Sequence, residues 1–185
     1  MSMAFDIQSA VHALRQGQIV ACPTEAVWGL SCDPDNDEAL AHLMRLKQRD
    51  PAKGVIVVAA SIDQLQPWLA GLPLELHAPL VASWPGPNTW LVPDNGRSHA
   101  LVRGAHQSVA LRVTAHPVMQ ALCNAFGGPV VSTSANLANE PPAMTAYEVS
   151  ALFGDELGAV IHGELGDNPR PSTIRDLASG QVLRP

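Results

Sequence analysis

The sequence predicts an α/β protein in which helices cover both faces of a β-sheet. Short apolar runs alternate with amphipathic segments along the chain, which is typical of this fold class. With 185 residues, 46% of them hydrophobic and 15% charged, the chain can bury a sizeable core. No apolar run approaches the roughly 20 residues of a membrane helix, so no membrane association is expected. We expect residues 1–185 to form a single domain.

The predicted helices share a capping residue or a proline followed by apolar residues at helical spacing. Their starts lie at Asp6, at Asp35 with Glu38, at Ser61 with Gln64, at Pro117, and at Thr145 with Glu148. Asp35 and Glu38 have the spacing of a capping box. Glycines are expected to end the first and fourth of these helices, at Gly17 and Gly127.

The predicted strands are short apolar runs bounded by turn residues. They are "QIVAC" (18–22), "VIVVAA" (55–60), "SVALRV" (108–113), "PVVST" (129–133), "GAVIH" (158–162) and "QVLRP" (181–185). Two segments rich in Pro, Gly and Asn, 84–107 and 163–173, are predicted to be loops.

Positive charge is concentrated in one stretch of an acidic chain. The chain has 11 Lys and Arg against 17 Asp and Glu, a formal net charge of −6. Both of its lysines, Lys47 and Lys53, lie in "KQRDPAKG" together with Arg49. Such residues can cap the C-terminus of a helix, or they can bind phosphates from one loop. The negative net charge disfavours indiscriminate polyanion binding, so any anion site must be local.

Polar residues also follow two predicted strands. The hydroxyl and amide groups of "STSAN" (132–136) could bind phosphate or a nucleobase, or form an ordinary Ser/Thr turn. "CPTEAVWGL" (22–30) places Thr24 near the same edge of the sheet. Arg112 lies within an apolar strand, so it is either on a solvated face or binds a carboxylate at the sheet edge.

Familiar catalytic signatures are missing. The sequence contains no Walker loop, no GxGxxG, no HExxH and no GxSxG. Its three cysteines have no CxxC spacing and are expected to be reduced cytosolic thiols. Cys22 could be a nucleophile, but no histidine is spaced to activate it, and a buried thiol is the alternative. The seven histidines have no ligand spacing, so no metal is assigned to protein ligands.

Six stretches of the chain occur in the order found in the YrdC/TsaC threonylcarbamoyl-adenylate synthases. They are "PTEAVWGL", "LKQRDPAKGVIVVA", "WPGPNTW", "SVALRVTAHP", "VVSTSANLANEPP" and "PSTIRDL" with "VLRP" at the end. The chain resembles the short, single-domain members of this family over nearly its whole length. The resemblance implies a twisted mixed sheet flanked by helices around a positively charged central cavity, in a cytoplasmic protein.

The resemblance also implies an activity. Members of the family make L-threonylcarbamoyl-adenylate and pyrophosphate from L-threonine, bicarbonate or CO2, and ATP. Mg²⁺ would arrive with ATP, and a downstream threonylcarbamoyl transferase machinery would use the product to form N6-threonylcarbamoyladenosine in tRNA. Some members bind tRNA or double-stranded RNA, so the alternative is a non-enzymatic RNA-binding paralogue of the same fold.

The family's motifs imply roles for ten residues. Those for ATP are Lys47, Arg49, Thr89, Ser132, Ser134, Asn136 and Arg184, of which Lys47, Arg49 and Ser134 would be catalytic. Those for threonine are Thr24, Arg112 and Ser172. The chain departs from the family where Asp50 displaces a proline next to Arg49. This acid could weaken phosphate binding or orient the guanidinium.

Overall fold

The computed structural model describes residues 3–168 and 170–185. In this part of the chain nine strands form one sheet: β1 (Ile19–Pro23), β2 (Trp28–Cys32), β3 (Ile56–Ala59), β4 (Asn88–Pro93), β5 (Ser108–Val113), β6 (Val130–Ser134), β7 (Leu157–Val160), β8 (Thr173–Asp176) and β9 (Val182–Arg184). The strand order is β7-β1-β2-β6-β3-β5-β4-β8-β9. Three neighbouring pairs are parallel, β1 with β7, β3 with β5, and β4 with β8, and the others are antiparallel.

Seven helices accompany the sheet in the described residues: α1 (Met3–Arg15), α2 (Asp37–Leu46), α3 (Gln66–Leu69), α4 (His77–Ser83), α5 (Ala100–Arg103), α6 (Pro117–Phe126) and α7 (Ala146–Phe153). Short 3-10 turns cover Pro51–Lys53, Asp63–Leu65, Leu74–Leu76 and Gly154–Glu156. Over residues 3–168 and 170–185, each helix is too short or too polar to cross a bilayer.

Hydrophobic residues pack on both faces of the sheet. Along β1, Ile19 and Ala21 join one buried cluster, whereas Val20 and Cys22 join a second cluster on the opposite face. Helices α1 and α6 contribute most of the second cluster, and α2 and α7 pack into the first. The prediction of an α/β protein with a sheet covered on both faces is therefore confirmed.

The predicted boundaries of two helices are confirmed. Thr145 and Glu148 form a reciprocal capping box at α7, with Glu148 N donating to Thr145 Oγ1 at 3.2 Å and Thr145 N donating to Glu148 Oε2 at 3.1 Å. Helix α6 begins at Pro117 and ends before Gly127, whose φ of 91° is left-handed. These are the helices whose caps depend on local sequence alone.

The predicted start of α1 is wrong. The described chain is already helical from Met3, so Asp6 lies within the first turns instead of before them. The Asp6 carboxylate oxygen Oδ2 instead accepts from the backbone N–H of His162 at 3.1 Å, and His162 Nδ1 is also 3.1 Å away. This contact joins residues 156 positions apart, which a local spacing pattern cannot anticipate.

The predicted cap of α2 is also wrong. Asn36 caps this helix, because its Oδ1 accepts from Ala39 N at 2.9 Å. Its neighbour Asp35 instead forms a bidentate ion pair with Arg97, at 2.6 and 2.7 Å. The adjacent Asn36 supplies the cap, while the Asp35 carboxylate binds an arginine 62 positions away.

Ser61 and Gln64 do not cap an α-helix. The chain there forms the 3-10 turn Asp63–Leu65 and then the single turn α3. Gln64 Oε1 accepts from Ala60 N at 2.9 Å, which holds the turn against the end of β3. The polar side chain thus stabilises the exit from a strand rather than a helix start.

All six predicted strands are present, and three further strands were not predicted. The segment 84–107 contains β4 and α5 and is not a loop throughout. Strand β2 contains Gly29, and β8 begins at Thr173, the last residue of the predicted loop 163–173. Proline and glycine within or near these strands conceal them, because such residues are typical of turns.

Candidate active site

A cavity of about 560 Å³ lies among strands β2 to β6, β8 and β9. Two loops complete its wall, one after β1 and one running from Arg49 to Val55, together with residues 102–106. Its positively charged lining residues are Arg49, Lys53, Arg103, Arg112 and Arg184. Among the described lining residues, Glu25 is the one carboxylate. Anionic ligands are the chemistry that such a lining favours.

Most of the residues singled out in the sequence meet at this cavity. Seven of them line it: Thr24, Arg49, Arg112, Ser132, Ser134, Ser172 and Arg184. The other three, Lys47, Thr89 and Asn136, are not among the lining residues. Each of these three forms a hydrogen bond to a residue that lines the cavity.

Lys47 is buried behind Ser134. It follows α2 directly, has an exposed fraction of 2%, and donates from Nζ to the backbone oxygen of Ser134. It also donates to the backbone O and the side-chain Oδ1 of Asn136, at 2.9 and 3.0 Å. All three ammonium protons are thereby used. Burial, with a smaller effect of the Arg49 charge, lowers the pKa of Lys47 to about 8.

The same contacts fix the end of β6. Ser134 Oγ donates to Asn136 Oδ1 at 2.6 Å, so Lys47, Ser134 and Asn136 form one network. Strand β6 extends through Ser134, and residues 132–134 face the cavity. This part of "STSAN" is therefore strand and not a Ser/Thr turn.

The loop after α2 brings Arg49 and Lys53 to the cavity. The Arg49 guanidinium donates to Gly54 O from Nε at 3.1 Å and from Nη2 at 2.9 Å. Burial lowers the pKa of Arg49. The Asp50 carboxylate accepts from Ala52 N at 2.9 Å and caps the 3-10 turn that follows. The Asp50 side chain therefore stabilises the loop by accepting a hydrogen bond from the backbone of the loop.

Arg112 lies on β5 and is not on a solvated face. Its exposed fraction is 7%, and its Nη1 is 3.4 Å from Glu25 Oε2. The second carboxylate oxygen, Glu25 Oε1, accepts from Thr114 Oγ1 at 2.6 Å. Thr24, next to Glu25, donates from Oγ1 to Val27 O at 2.7 Å. One residue of "PTEAVWGL", Glu25, thus lies beside the arginine, and its neighbour Thr24 also lines the cavity.

Ser172 connects the end of the chain to this region. Arg184 on β9 donates to Ser172 O from Nε at 3.1 Å and from Nη2 at 2.7 Å. Thr89 is fully buried, and its Oγ1 is 2.8 Å from Ser172 Oγ. Burial, followed by the charge of Arg112, lowers the pKa of Arg184. The charge of Arg112 therefore acts on Arg184, and both residues line the cavity.

Sequence reasoning missed several lining residues. The family's motifs gave no individual role to Glu25, Lys53, Arg103 and His106, although Lys53 is one of two lysines in the chain. Gly29 was also missed. A Cβ atom there would lie 3.1 Å from Thr24 Cγ2 and 3.3 Å from Ser132 Oγ, so glycine leaves room between these two side chains. The signal for Lys53 was the clustering of both lysines, whereas the roles of Gly29 and Glu25 depend on strand neighbours.

Cys22 is unsuited to nucleophilic attack. It is fully buried, and its Sγ is 3.0 Å from Met119 Sδ. Burial raises the pKa of the Cys22 thiol to about 12, so the thiolate is scarce at neutral pH. The buried-thiol interpretation is supported.

Comparison with known proteins identifies relatives that match the chain over nearly its whole length. A profile of the Sua5/YciO/YrdC family, described as "Telomere recombination", matches residues 12–185. A threonylcarbamoyl-AMP synthase of Chromohalobacter salexigens is 62% identical over 96% of each chain. A threonylcarbamoyl-AMP synthase of Pseudomonas aeruginosa is 51% identical over the full length of both.

One solved structure links the fold to this family. The P. abyssi Sua5 complexed with L-threonine superimposes with a TM-score of 0.91 at 28% identity, covering all of this chain and 55% of that one. The chain thus spans about half the length of that protein. Matches of sequence and of fold agree, and the chain belongs to the Sua5/YciO/YrdC family.

Proposed function

We infer that this protein is a threonylcarbamoyl-AMP synthase. It forms threonylcarbamoyl-AMP and pyrophosphate from L-threonine, bicarbonate or CO2, and ATP. The observation that carries this conclusion is an identity of 51–62% over nearly the entire length of two synthases. The activity predicted from the sequence is confirmed by these relatives. The product serves N6-threonylcarbamoyladenosine formation in tRNA.

The reaction needs positioning and charge neutralisation rather than a protein nucleophile. The threonine amine adds to CO2 and loses a proton, which gives a carbamate. A carbamate oxygen then attacks the α-phosphorus of ATP, and pyrophosphate leaves. Lining cations suit this chemistry, because negative charge builds on the phosphates during transfer. A cavity charge that is positive overall is supported by five Lys and Arg residues against one carboxylate in the described lining.

One end of the cavity is proposed to bind the nucleotide. Arg49 and Lys53 extend from one loop, and Arg184 extends from β9. Ser132 and Ser134 offer hydroxyl groups from β6. Lys47 and Asn136 are proposed to act through Ser134, because their polar groups are bonded to it and to each other.

The other end is proposed to bind threonine. Arg112 would meet the α-carboxylate, a pairing that suits a planar guanidinium. Thr24 and Ser172 also line the cavity and are proposed to complete this subsite. The complex of P. abyssi Sua5 with L-threonine supports an amino-acid site in this fold. Thr89 is proposed to hold Ser172 in place instead of contacting ATP, because its hydroxyl is buried against Ser172 Oγ.

Mg²⁺ is proposed to enter with ATP. In residues 3–168 and 170–185, no three His, Cys, Asp or Glu side chains are grouped as metal ligands. Of the described lining residues, Glu25 is the one carboxylate, and its Oε1 is occupied by Thr114. Phosphate oxygens and water would hold the ion, which would neutralise charge on the nucleotide phosphates.

The wider setting follows from the activity. We propose that residues 1–185 work as one domain, which the single nine-stranded sheet of the described chain supports. The enzyme is expected in the cytoplasm, where its product passes to a threonylcarbamoyl transferase machinery. A purely RNA-binding role is disfavoured, because RNA binding alone would not require Thr24, Arg112 and Ser172 in the lining of one cavity.

The test is pyrophosphate release by the purified protein with ATP and bicarbonate, with and without threonine. We expect release to require both threonine and bicarbonate. Serine should be the nearest competitor, because it lacks one methyl group, worth ~1–3 kcal/mol of discrimination. Equal rates with alanine and threonine would contradict the threonine assignment.

A further inference from the structure

We propose that Glu25 is a positioning residue for the amino-acid substrate, which fixes the Arg112 guanidinium in the orientation that meets the substrate's α-carboxylate. The proposal rests on the proposed function, because that function supplies the carboxylate. It assigns a task to the one acidic side chain among the described residues that line a cavity otherwise rich in cations.

Glu25 is held rigidly from two sides. Its Oε1 accepts from Thr114 Oγ1 at 2.6 Å, and Thr114 is itself fully buried. The backbone N–H of His116 donates to the same Thr114 oxygen at 3.1 Å, so the threonine proton is directed at Glu25. The Glu25 backbone O also accepts from Asn168 N at 3.1 Å. The carboxylate therefore has a defined place before any substrate arrives.

Arg112 depends on this carboxylate. Its exposed fraction is 7% and that of Glu25 is 8%, so both charges have left bulk water. Glu25 Oε2 is 3.4 Å from Arg112 Nη1 and is the acidic partner of that guanidinium. Arg112 Nε is buried without a hydrogen-bond partner. A buried guanidinium with few hydrogen bonds is costly unless an opposite charge compensates, and removing that charge leaves it free to reorient.

Glu25 does not act as a proton acceptor for the substrate amine. Carbamate formation releases a proton, so a lone carboxylate in the cavity would be an obvious general base. However, Oε1 accepts from Thr114, and Oε2 is buried without a hydrogen-bond partner, 3.4 Å from Arg112 Nη1. Both oxygens thus face protein groups, and we expect Glu25 to affect the reaction through Arg112.

The experiment compares Glu25→Gln and Glu25→Ala with Glu75→Gln, an exposed carboxylate that does not line the cavity. Threonine and ATP affinities are measured separately by calorimetry, and steady-state rates are measured with saturating bicarbonate. We expect Glu25→Ala to weaken threonine binding by about one to two decades, which is the effect of losing a charged contact. Glu25→Gln should weaken it less, because an amide can still accept from Thr114. ATP affinity should be unchanged in both.

A double variant separates action through Arg112 from a direct contact. If Glu25 works through Arg112, adding Glu25→Ala to Arg112→Ala should cost little further threonine affinity. Unchanged threonine affinity in folded Glu25→Gln and Glu25→Ala would overturn the proposal. So would additive losses in the double variant, or a Glu25→Gln protein that binds threonine normally but loses kcat. Normal binding and turnover in these variants would refute only this inference, whereas a wild-type protein that releases no pyrophosphate would refute the proposed function.

Discussion

At the scale of single residues, Lys47 illustrates how burial changes the work of a charged side chain. An exposed lysine is a mobile point charge that suits phosphate. Lys47 instead donates to three oxygens of Ser134 and Asn136 at the end of β6. Its influence on ATP is therefore expected to be exerted through the placement of Ser134.

We predict that activity falls as the pH rises through about 8, the pKa of Lys47. Above this pH the amine has lost a proton and can no longer satisfy three acceptors. The fall would not reflect unfolding. The pKa of Lys47 is lowered from 10.5, so between about 8 and 10.5 the unfolded chain binds more protons, and this group's contribution to stability rises with pH.

The measurement is the pH profile of kcat/KM for ATP in the wild-type protein and in Lys47→Arg. The variant remains charged and should lose the decline near pH 8. Lys53→Arg, at the exposed Lys53 of the same loop, is the matched control and should keep it. An identical decline in folded Lys47→Arg would show that another group is responsible.

Thr89→Val tests whether Thr89 contributes to the binding of threonine or of ATP. The substitution preserves shape and removes the hydroxyl that lies 2.8 Å from Ser172 Oγ. We expect threonine to bind more weakly by about two- to tenfold, the value of one ordinary hydrogen bond, with ATP affinity unchanged. Titration with each ligand alone decides the matter. Weaker ATP binding with normal threonine binding would support the direct ATP contact that the family resemblance implies.

Residue identities could be predicted from the motifs, but their geometry could not. Arg49, Arg112 and Ser172 line the cavity as expected. Lys47 and Thr89 belong to equally recognisable motifs, yet they lie behind the cavity wall. A motif records that a side chain matters and does not distinguish one that touches a ligand from one that holds its neighbour.

At the scale of secondary structure, strands with uninterrupted apolar runs were predictable. Strand β5 has the bounds 108–113 that its sequence predicts. Strand β4 begins at Asn88 and ends at Pro93, so its borders resemble turns, although Trp90 and Val92 are buried. Predictions of helix caps were wrong where a distant residue binds the predicted capping side chain, as Arg97 binds Asp35.

Gly54→Ala should disturb the loop that carries Arg49 and Lys53. Gly54 has a φ of 62°, and a Cβ there would lie 2.6 Å from Val102 O. We expect a loss of ~1–3 kcal/mol in stability from backbone strain, and weaker ATP binding because the loop must move. Thermal unfolding and ATP titration measure the two effects.

Gly71→Ala is the matched control for this substitution. Gly71 has a φ of 80° but nothing within 4 Å of the added Cβ. It should lose less stability, because only its left-handed φ is unfavourable for alanine, and it should keep normal ATP affinity. Equal ATP affinities in the two folded variants would show that the tight packing at Gly54 does not position the loop.

At the scale of the whole molecule, positive side chains are unevenly distributed in an acidic chain. The net charge is −6, yet five of the 11 Lys and Arg residues line the cavity. We therefore expect RNA to bind weakly and with a steep salt dependence, since released counterions supply most of the affinity of such contacts. ATP should displace the RNA if both use the cavity. RNA binding that is unaffected by saturating ATP would locate the RNA on another surface.

The central claim is that one cavity has a phosphate end at Arg49 and an amino-acid end at Arg112. Calorimetric titration of Arg49→Ala and Arg112→Ala with ATP alone and with threonine alone tests it most directly. Arg49→Ala should weaken ATP binding by about one to two decades and leave threonine affinity unchanged. Arg112→Ala should weaken threonine binding by the same amount and leave ATP affinity unchanged. If Arg112→Ala lost ATP affinity while Arg49→Ala lost threonine affinity, the two ends would be reversed and the account contradicted.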